Sequence, residues 1–500
     1  MIDLVIVGDV VTPTGVLVGG RVGIRAGKIA ELWPAGTASD QPARDTWDLS
    51  GSWVLPGGID AHVHCFSERR EGFIAAARAA AAAGITTIIE MPYDEGSPVI
   101  SAALLAAKLD LLSTEAVVDV ALLGTIRKTG GVDQIPRLAE AGVCGFKMSL
   151  FETDPVRFPR IDDAELLDAF GLIHRTGLRV GLHAEDGEII NRLVSANRAA
   201  GKVYPRAHCE TRPPISETAS VALALELTMA AGVNLHIYHA SLPRTFELVA
   251  KYREDGLAVR AETCPHYLLL EESDMDALGP RGKINPPLRD HSERMGLWDL
   301  LAAENVDMVT SDHAPWHLDK KGNADIFANA SGAPGVQTLL PTLFSEGVAA
   351  GRISIDMFQR LIAEGPARAF GLYPRKGTLS PGADADIVIV DPRASWSVTP
   401  ETLYSNAGWS PYEGRTLRGR VVKTLVRGQT VFDGSDVVGR RGQGEFAERS
   451  VTVTRTRTWI NCATYCGKRA SLACRVIATD GVFSMDGDLA PLDRIVALAD

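Results

Sequence analysis

Short apolar runs broken by glycine and proline open the chain, at residues 4–7, 10–12, 21–25 and 28–32. Their alternation of apolar and polar positions predicts β-strands joined by tight turns. The same texture returns at 386–390 and 421–431. Two such stretches flanking a long middle predict one small sheet domain assembled from both ends of the chain.

The middle, residues 53–374, has another rhythm. Apolar β-type runs at 85–90, 117–123, 145–148, 180–183, 235–239, 258–263 and 308–311 are interleaved with alanine-rich helical patterns at 74–83, 163–174, 217–231 and 242–254. Strand–helix alternation over this length implies a parallel sheet. A glycine-punctuated apolar run ending in His62 and His64 precedes the others and brings the strand count to eight. The expected class is α/β: a (β/α)8 TIM-type barrel at 53–374, with a small β-sandwich domain from residues 1–52 and 375–446. Residues 447–500 read differently. Thr, Val and Arg alternate at 450–458, and Cys462, Cys466 and Cys474 follow at a spacing that matches no usual zinc pattern. This segment is expected to be an arm or tail without chemistry of its own.

Composition narrows the partners. The apolar fraction of 46% suits a globular core, and the net charge of −11 argues against nucleic acid or an anionic membrane surface. The start, Met1-Ile2-Asp3-Leu4, lacks the basic residues of a signal peptide, and no run reaches the roughly 18 apolar residues of a membrane span. A cytoplasmic protein is expected. Its seven scattered cysteines are then expected to be reduced.

In a barrel of this kind active sites sit at the C-terminal ends of the strands. His62 and His64, two apart on one strand, face the same way. Lys147, His183, His239 and Asp312 end or follow later apolar runs. Singly, each has a bland explanation: a core histidine, a rim salt bridge, a helix cap. Jointly, four imidazoles and a carboxylate at strand ends suit zinc or a neighbouring transition metal.

These residues lie in a series of motifs: Pro56-Gly57-Gly58-Ile59-Asp60-Ala61-His62-Val63-His64, Gly145-Phe146-Lys147, His183-Ala184-Glu185, Tyr238-His239-Ala240-Ser241, Cys264-Pro265-His266-Tyr267-Leu268, Asn285-Pro286-Pro287-Leu288-Arg289 and Ser311-Asp312-His313-Ala314-Pro315. Together they resemble the cyclic-amidohydrolase branch of the amidohydrolase superfamily, over about residues 1–445. That branch includes hydantoinases, dihydropyrimidinases, allantoinases and dihydroorotases. The resemblance implies two divalent metals, zinc first and manganese or cobalt as alternatives. His62, His64 and Asp312 would hold one, His183 and His239 the other, and Lys147 would bridge them as a carbamate. A hydroxide between the metals would attack a ring carbonyl, with Asp312 moving the proton to the leaving nitrogen. His266 and His313 would stand behind the site. A small cyclic amide is the implied partner, and a homodimer or homotetramer the implied assembly. The fold also has non-enzymatic assembly relatives, but those lack several of the strand-end residues that this chain retains.

Departures from the family pattern bear on the substrate. Three positions that are polar in dihydroorotases are Phe66, Tyr93 and Trp316 here. A substrate carboxylate would lose charge-assisted partners worth about 1.5–3 kcal/mol each, which disfavours dihydroorotase. The tyrosine of dihydropyrimidinases, five residues after the lysine, is Glu152. The expectation is a hydantoinase-like opening of a five-membered cyclic ureide, with Phe66, Tyr93 and Trp316 around an apolar or aromatic 5-substituent. Allantoinase is the alternative. Asn285, Ser331 and Gly332 are expected to meet the ring amide.

Overall fold

The computed structural model describes residues 1–37 and 41–450. Two sheets organise them. The first begins with β1 (Ile2–Thr12), β2 (Gly15–Arg25), β3 (Lys28–Trp33) and β4 (Ala43–Pro56). The barrel strands follow: β5 (Gly58–Val63), β6 (Ile85–Glu90), β7 (Asp119–Gly124), β8 (Gly145–Ser149), β9 (Arg179–His183), β10 (Asn234–Ile237), β11 (Val259–Thr263) and β12 (Met308–Val309). The chain returns to the first sheet with β13 (Ile387–Ser397), β14 (Thr416–Val426) and β15 (Gln429–Phe432).

The first sheet has the order β15-β14-β13-β4-β1-β2-β3. Strands from the two chain ends meet where β4 pairs antiparallel with β13, Pro56 opposite Ile387. The expected domain boundary at 52/53 falls inside β4, which stays in this sheet up to Pro56 before β5 enters the barrel. The run 421–431, read as one strand-like piece, is a hairpin. Arg427 and Gly428 both take positive φ, 46° and 72°, and reverse the chain between Val426 and Gln429. Positive φ at both central residues is what a tight two-residue hairpin turn requires.

The barrel strands are parallel neighbours in sequence order from β5 to β12. Ile59, Ala61, Ile89, Ala121, Leu123 and Met308 cluster together within it. Strand neighbours such as Ile88, Leu122, Val180 and Leu182 join the larger core that includes the surrounding helices. That division follows from side chains alternating across a strand. Gly181 is required by packing: a Cβ there would lie 1.9 Å from the Tyr238 ring.

The seam between β12 and β5 is closed beyond the short ladder of β12. His64 N donates to His313 O at 2.8 Å and His313 N to His62 O at 3.2 Å. Ser311 N adds a bond to Asp60 Oδ1 at 3.0 Å. The residues that zip the barrel shut are therefore the ones that carry the histidine pair and Asp312.

Cys65, Cys144, Cys209 and Cys264 are buried free thiols, and Cys462, Cys466 and Cys474 lie outside the described residues, as does the expected tail beyond 450. Among the described residues no helix is long and apolar enough to cross a membrane.

Candidate metal centre and active-site cavity

β5 delivers His62, and His64 follows directly after it. Their Nε2 atoms approach Asp312 Oδ1 at 3.0 Å and 3.7 Å. One ligand atom from each of the three residues falls within 4.8 Å of the others, all buried. His62 Nδ1 sits 2.6 Å from Glu262 Oε1 on β11. That carboxylate accepts a hydrogen bond from Nδ1–H, which leaves the Nε2 lone pair on the side of Asp312. Burial, then the nearby Lys147, lowers the His62 and His64 pKa values well below the ordinary imidazole range. Both rings are thus neutral donors.

A second group adjoins the first. His183 ends β9, and its Nδ1 lies 2.9 Å from His239 Nε2. His183 Nε2 is 2.8 Å from Glu185 Oε2, which also accepts from Arg212 Nη1 at 2.5 Å. The arginine holds the carboxylate, the carboxylate holds the imidazole, and the Nδ1 lone pair points at His239. Despite its burial, Glu185 is held well below the usual carboxylate range by Arg212 and His183.

Lys147, from β8, adjoins the first group, with Nζ 2.7 Å from His62 Nε2. Burial brings its pKa down to about 8 against the opposing pull of Asp312 and Glu262. Burial likewise pushes Asp312 and Glu262 up to about 8. Neutral imidazoles with oriented lone pairs, beside carboxylates that need a positive charge to stay ionised, are a donor set suited to a divalent cation. His62, His64 and Asp312 form a buried metal-binding group.

Backbone strain marks the same place. The β10 ladder ends at Ile237, two residues earlier than the apolar run suggested, and His239 takes φ 41°. Asp312 takes φ 47°, three residues past the end of β12. Left-handed backbone at non-glycine residues costs about 1–3 kcal/mol and persists where surroundings over-determine it.

Above these groups opens a cavity of about 430 Å³. Tyr93, Trp316, Asn285, Ser331 and Gly332 line it, as do Lys147, His64, His183, His239 and Asp312. Phe66 is not among its lining residues. Its ring packs edge-on against Phe73 at 4.9 Å, beneath the Lys108 ammonium. His313 does not line it either. Its Nε2 faces Glu71 Oε1 at 3.3 Å and its Nδ1 accepts from Gly335 N at 3.1 Å, which ties the seam to the loops behind. His266 is buried beside the Tyr267 ring, 4.2 Å between centroids, also outside the lining.

Several participants carried no signal in the sequence. Glu262 braces His62 from 200 positions away and also meets His236 Nε2 at 2.9 Å. Arg157, Arg212, Lys283, Asn329 and His208 line the cavity without a motif to announce them. Glu185 stood inside a noted motif, and its spacing of two from His183 was the available clue.

The Amidohydrolase family profile matches residues 53–431. The chain is 39% identical over 457 residues to an allantoinase of Rubrobacter xylanophilus, covering 89% of this chain and 99% of that protein. It is 34% identical over 419 residues to a D-phenylhydantoinase of Escherichia coli O1:K1 / APEC, covering 80% and 89%. The solved L-hydantoinase (dihydropyrimidinase) of Arthrobacter aurescens superposes with a TM-score of 0.87 at 32% identity, covering 90% of this chain and 100% of that one. Motif, barrel and buried histidine groups therefore converge: the chain belongs to the amidohydrolase family, and within it to the cyclic amidohydrolases of hydantoinase and allantoinase type.

Proposed function

We propose that this enzyme opens allantoin, a hydantoin ring bearing a ureido group at C5, to the corresponding ureido acid. The ring chemistry is that of a hydantoinase, and the 5-substituent separates the two activities. The observation that carries the choice is the polar lining of the cavity, in which Arg157, His208, Arg212, Lys283, Asn285 and Asn329 all take part. Lys283, Asn329, His208 and Arg212 are engaged with Phe327 O, Asn323 O, Ile284 O and Glu185. Arg157 has a single side-chain hydrogen bond among the described residues, to Ser67 O, so an aryl group beside it would bury a cation with spare donors, a loss that penalises the wrong substrate. A ureido group offers both a carbonyl acceptor and N–H donors. Phe66, one of the three aromatics that favoured an apolar substituent, lies outside the lining. The similarity to allantoinases supports the same choice.

His62, His64 and Asp312 are the residues to hold one divalent cation. His183 and His239 would hold a second, with Lys147 between them as a carbamate. Zinc fits the donor set best, and manganese or cobalt fit as well. When bound, such cations polarise a carbonyl and lower the pKa of water. The chain does the rest. Glu262 and Glu185 fix the imidazoles. A Lys147 pKa of about 8 leaves part of its amine neutral and able to add to CO₂. Asp312 accepts the proton of the attacking water and returns it to the ring nitrogen as the amide C–N bond breaks. With its amide turned to suit its neighbours, Asn285 donates to Ser331 Oγ and accepts from Arg212 Nη2, each at 3.3 Å. That holds the ring-facing edge of the cavity.

The test is a substrate panel of allantoin, hydantoin, 5-phenylhydantoin, dihydrouracil and dihydroorotate with metal-loaded enzyme. Highest kcat/KM on allantoin is expected. Preference for 5-phenylhydantoin would instead establish the hydantoinase alternative, which the Arthrobacter aurescens fold match favours. Preference for dihydroorotate would refute both.

A further inference from the structure

We infer that Arg157 is the specificity residue of this enzyme, reading the carbonyl of the C5 substituent through its guanidinium. The assignment rests on the allantoin reading above. Arg157 lies on the loop between β8 and the helix Asp163–Thr176, outside the motifs singled out in the sequence. The loop is built to hold it. Asp154 Oδ1 accepts from Val156 N at 3.0 Å and Arg157 N at 2.8 Å. Asp154 and Phe158 exchange backbone hydrogen bonds at 3.3 Å and 3.1 Å, and Phe158 stands edge-on to Tyr93 at 4.1 Å.

From this hairpin the guanidinium reaches over both remaining aromatics. It lies 4.8 Å from the Tyr93 ring centre and 5.5 Å from that of Trp316. The two faces that the sequence offered to an aryl substituent are therefore covered by a cation. Tyr93 in turn meets His64 at 5.3 Å between rings, so Arg157 stands one aromatic layer from the metal-binding group.

The hydrogen-bonding state of Arg157 is incomplete. Nη1 donates to Ser67 O at 2.9 Å, which anchors the group to the β5 loop. Nε is buried and has no partner among the described residues. The guanidinium itself lines the cavity with only its Nη1 bond to Ser67 O made, so the donors of its exposed end can meet an acceptor on the substrate. Arginine offers its donors in a rigid planar fork, whereas lysine presents a point charge. A ureido carbonyl at C5 supplies the acceptor, and its planar group can stack where an aryl ring cannot displace the cation.

The test compares kcat/KM for allantoin and for unsubstituted hydantoin, which lacks the C5 group, in wild type, Arg157→Ala and Arg157→Lys. Metal content per chain and melting temperature are measured alongside, to separate recognition from misfolding. The allantoin-to-hydantoin ratio is expected to fall about 10- to 100-fold in Arg157→Ala, the value of one hydrogen bond to a charged group. Arg157→Lys is expected to recover only a minor part. The 5-phenylhydantoin-to-allantoin ratio rises in both variants. A ratio of allantoin to hydantoin that stays within about threefold of wild type, whether both activities persist or fall together, overturns the proposal. Wild-type enzyme inactive on allantoin overturns the substrate reading and this assignment with it, whereas active wild type with an unchanged ratio overturns this assignment alone.

Discussion

Two buried carboxylates set the chemistry of the histidines without touching the substrate cavity. Glu262 fixes the tautomer of His62, and Glu185, clamped by Arg212, fixes that of His183. Partners of this kind typically contribute about 10- to 100-fold in metal affinity or activity. Glu262→Gln and Glu185→Gln are each expected to lower metal content at limiting zinc by that order, measured by elemental analysis, with folding retained by circular dichroism. Chelation of the wild type should abolish turnover, and zinc, manganese or cobalt should restore it. The six strand-end residues were legible in the sequence because each ends an apolar run, and run ends share one rim of a parallel barrel. Glu262 was not legible. Its meaning is its distance to His62, and no spacing rule spans 200 positions.

At the level of elements, the site depends on how strands stop. β10 gives way after Ile237 to a left-handed turn at His239, and the chain beyond β12 closes the barrel through Ser311 and His313, which flank Asp312. Periodicity identifies a strand but reads poorly where its ladder ends, since the last hydrogen bonds depend on the neighbouring strand. The two-residue β12 and the 421–431 hairpin illustrate this: their apolar runs continue past a change of direction. Gly181 sits between these elements, its missing Cβ making room for Tyr238. Gly181→Ala should push β9 from β10 and separate His183 from His239. A loss of about 1–3 kcal/mol in urea unfolding is expected, as for other overpacked cores, together with reduced metal content.

For the whole molecule, a buried ion cluster joins the barrel to the sheet. Lys376 Nζ meets Asp119 Oδ2 on β7 and Asp386 Oδ2 at 2.6 Å each, and Asp384 Oδ2 at 3.2 Å. The three aspartates could be mistaken for a metal site, but the ammonium already occupies their centre. Lys376→Met leaves Asp386 without a cation, while Asp119 keeps Arg427 and Asp384 keeps Lys28, and should cost about 3–5 kcal/mol, seen as a lowered unfolding midpoint. Despite burial, Lys376 holds Asp119 and Asp384 below their ordinary pKa, with Arg427 adding to the effect on Asp119 and Lys28 to that on Asp384. Depressed carboxylate pKa values stabilise the fold above the unfolded value of about 3.9, and this is lost as pH falls through the folded one. The melting temperature should therefore drop on acidification below about pH 4, and less steeply in Asp119→Asn.

The sequence by itself determined the barrel, the sheet drawn from both chain ends and the ring of metal-ligand candidates. Those features rest on local period and on residue type at run ends, both of which act along the chain. Only the tertiary structure decided which side chains line the cavity. Phe66 turned to Phe73, Arg157 came in over Tyr93 and Trp316, and Glu262 reached His62 across the barrel. Loop side chains take their direction from what packs against them, and those partners come from distant segments that only folding brings together.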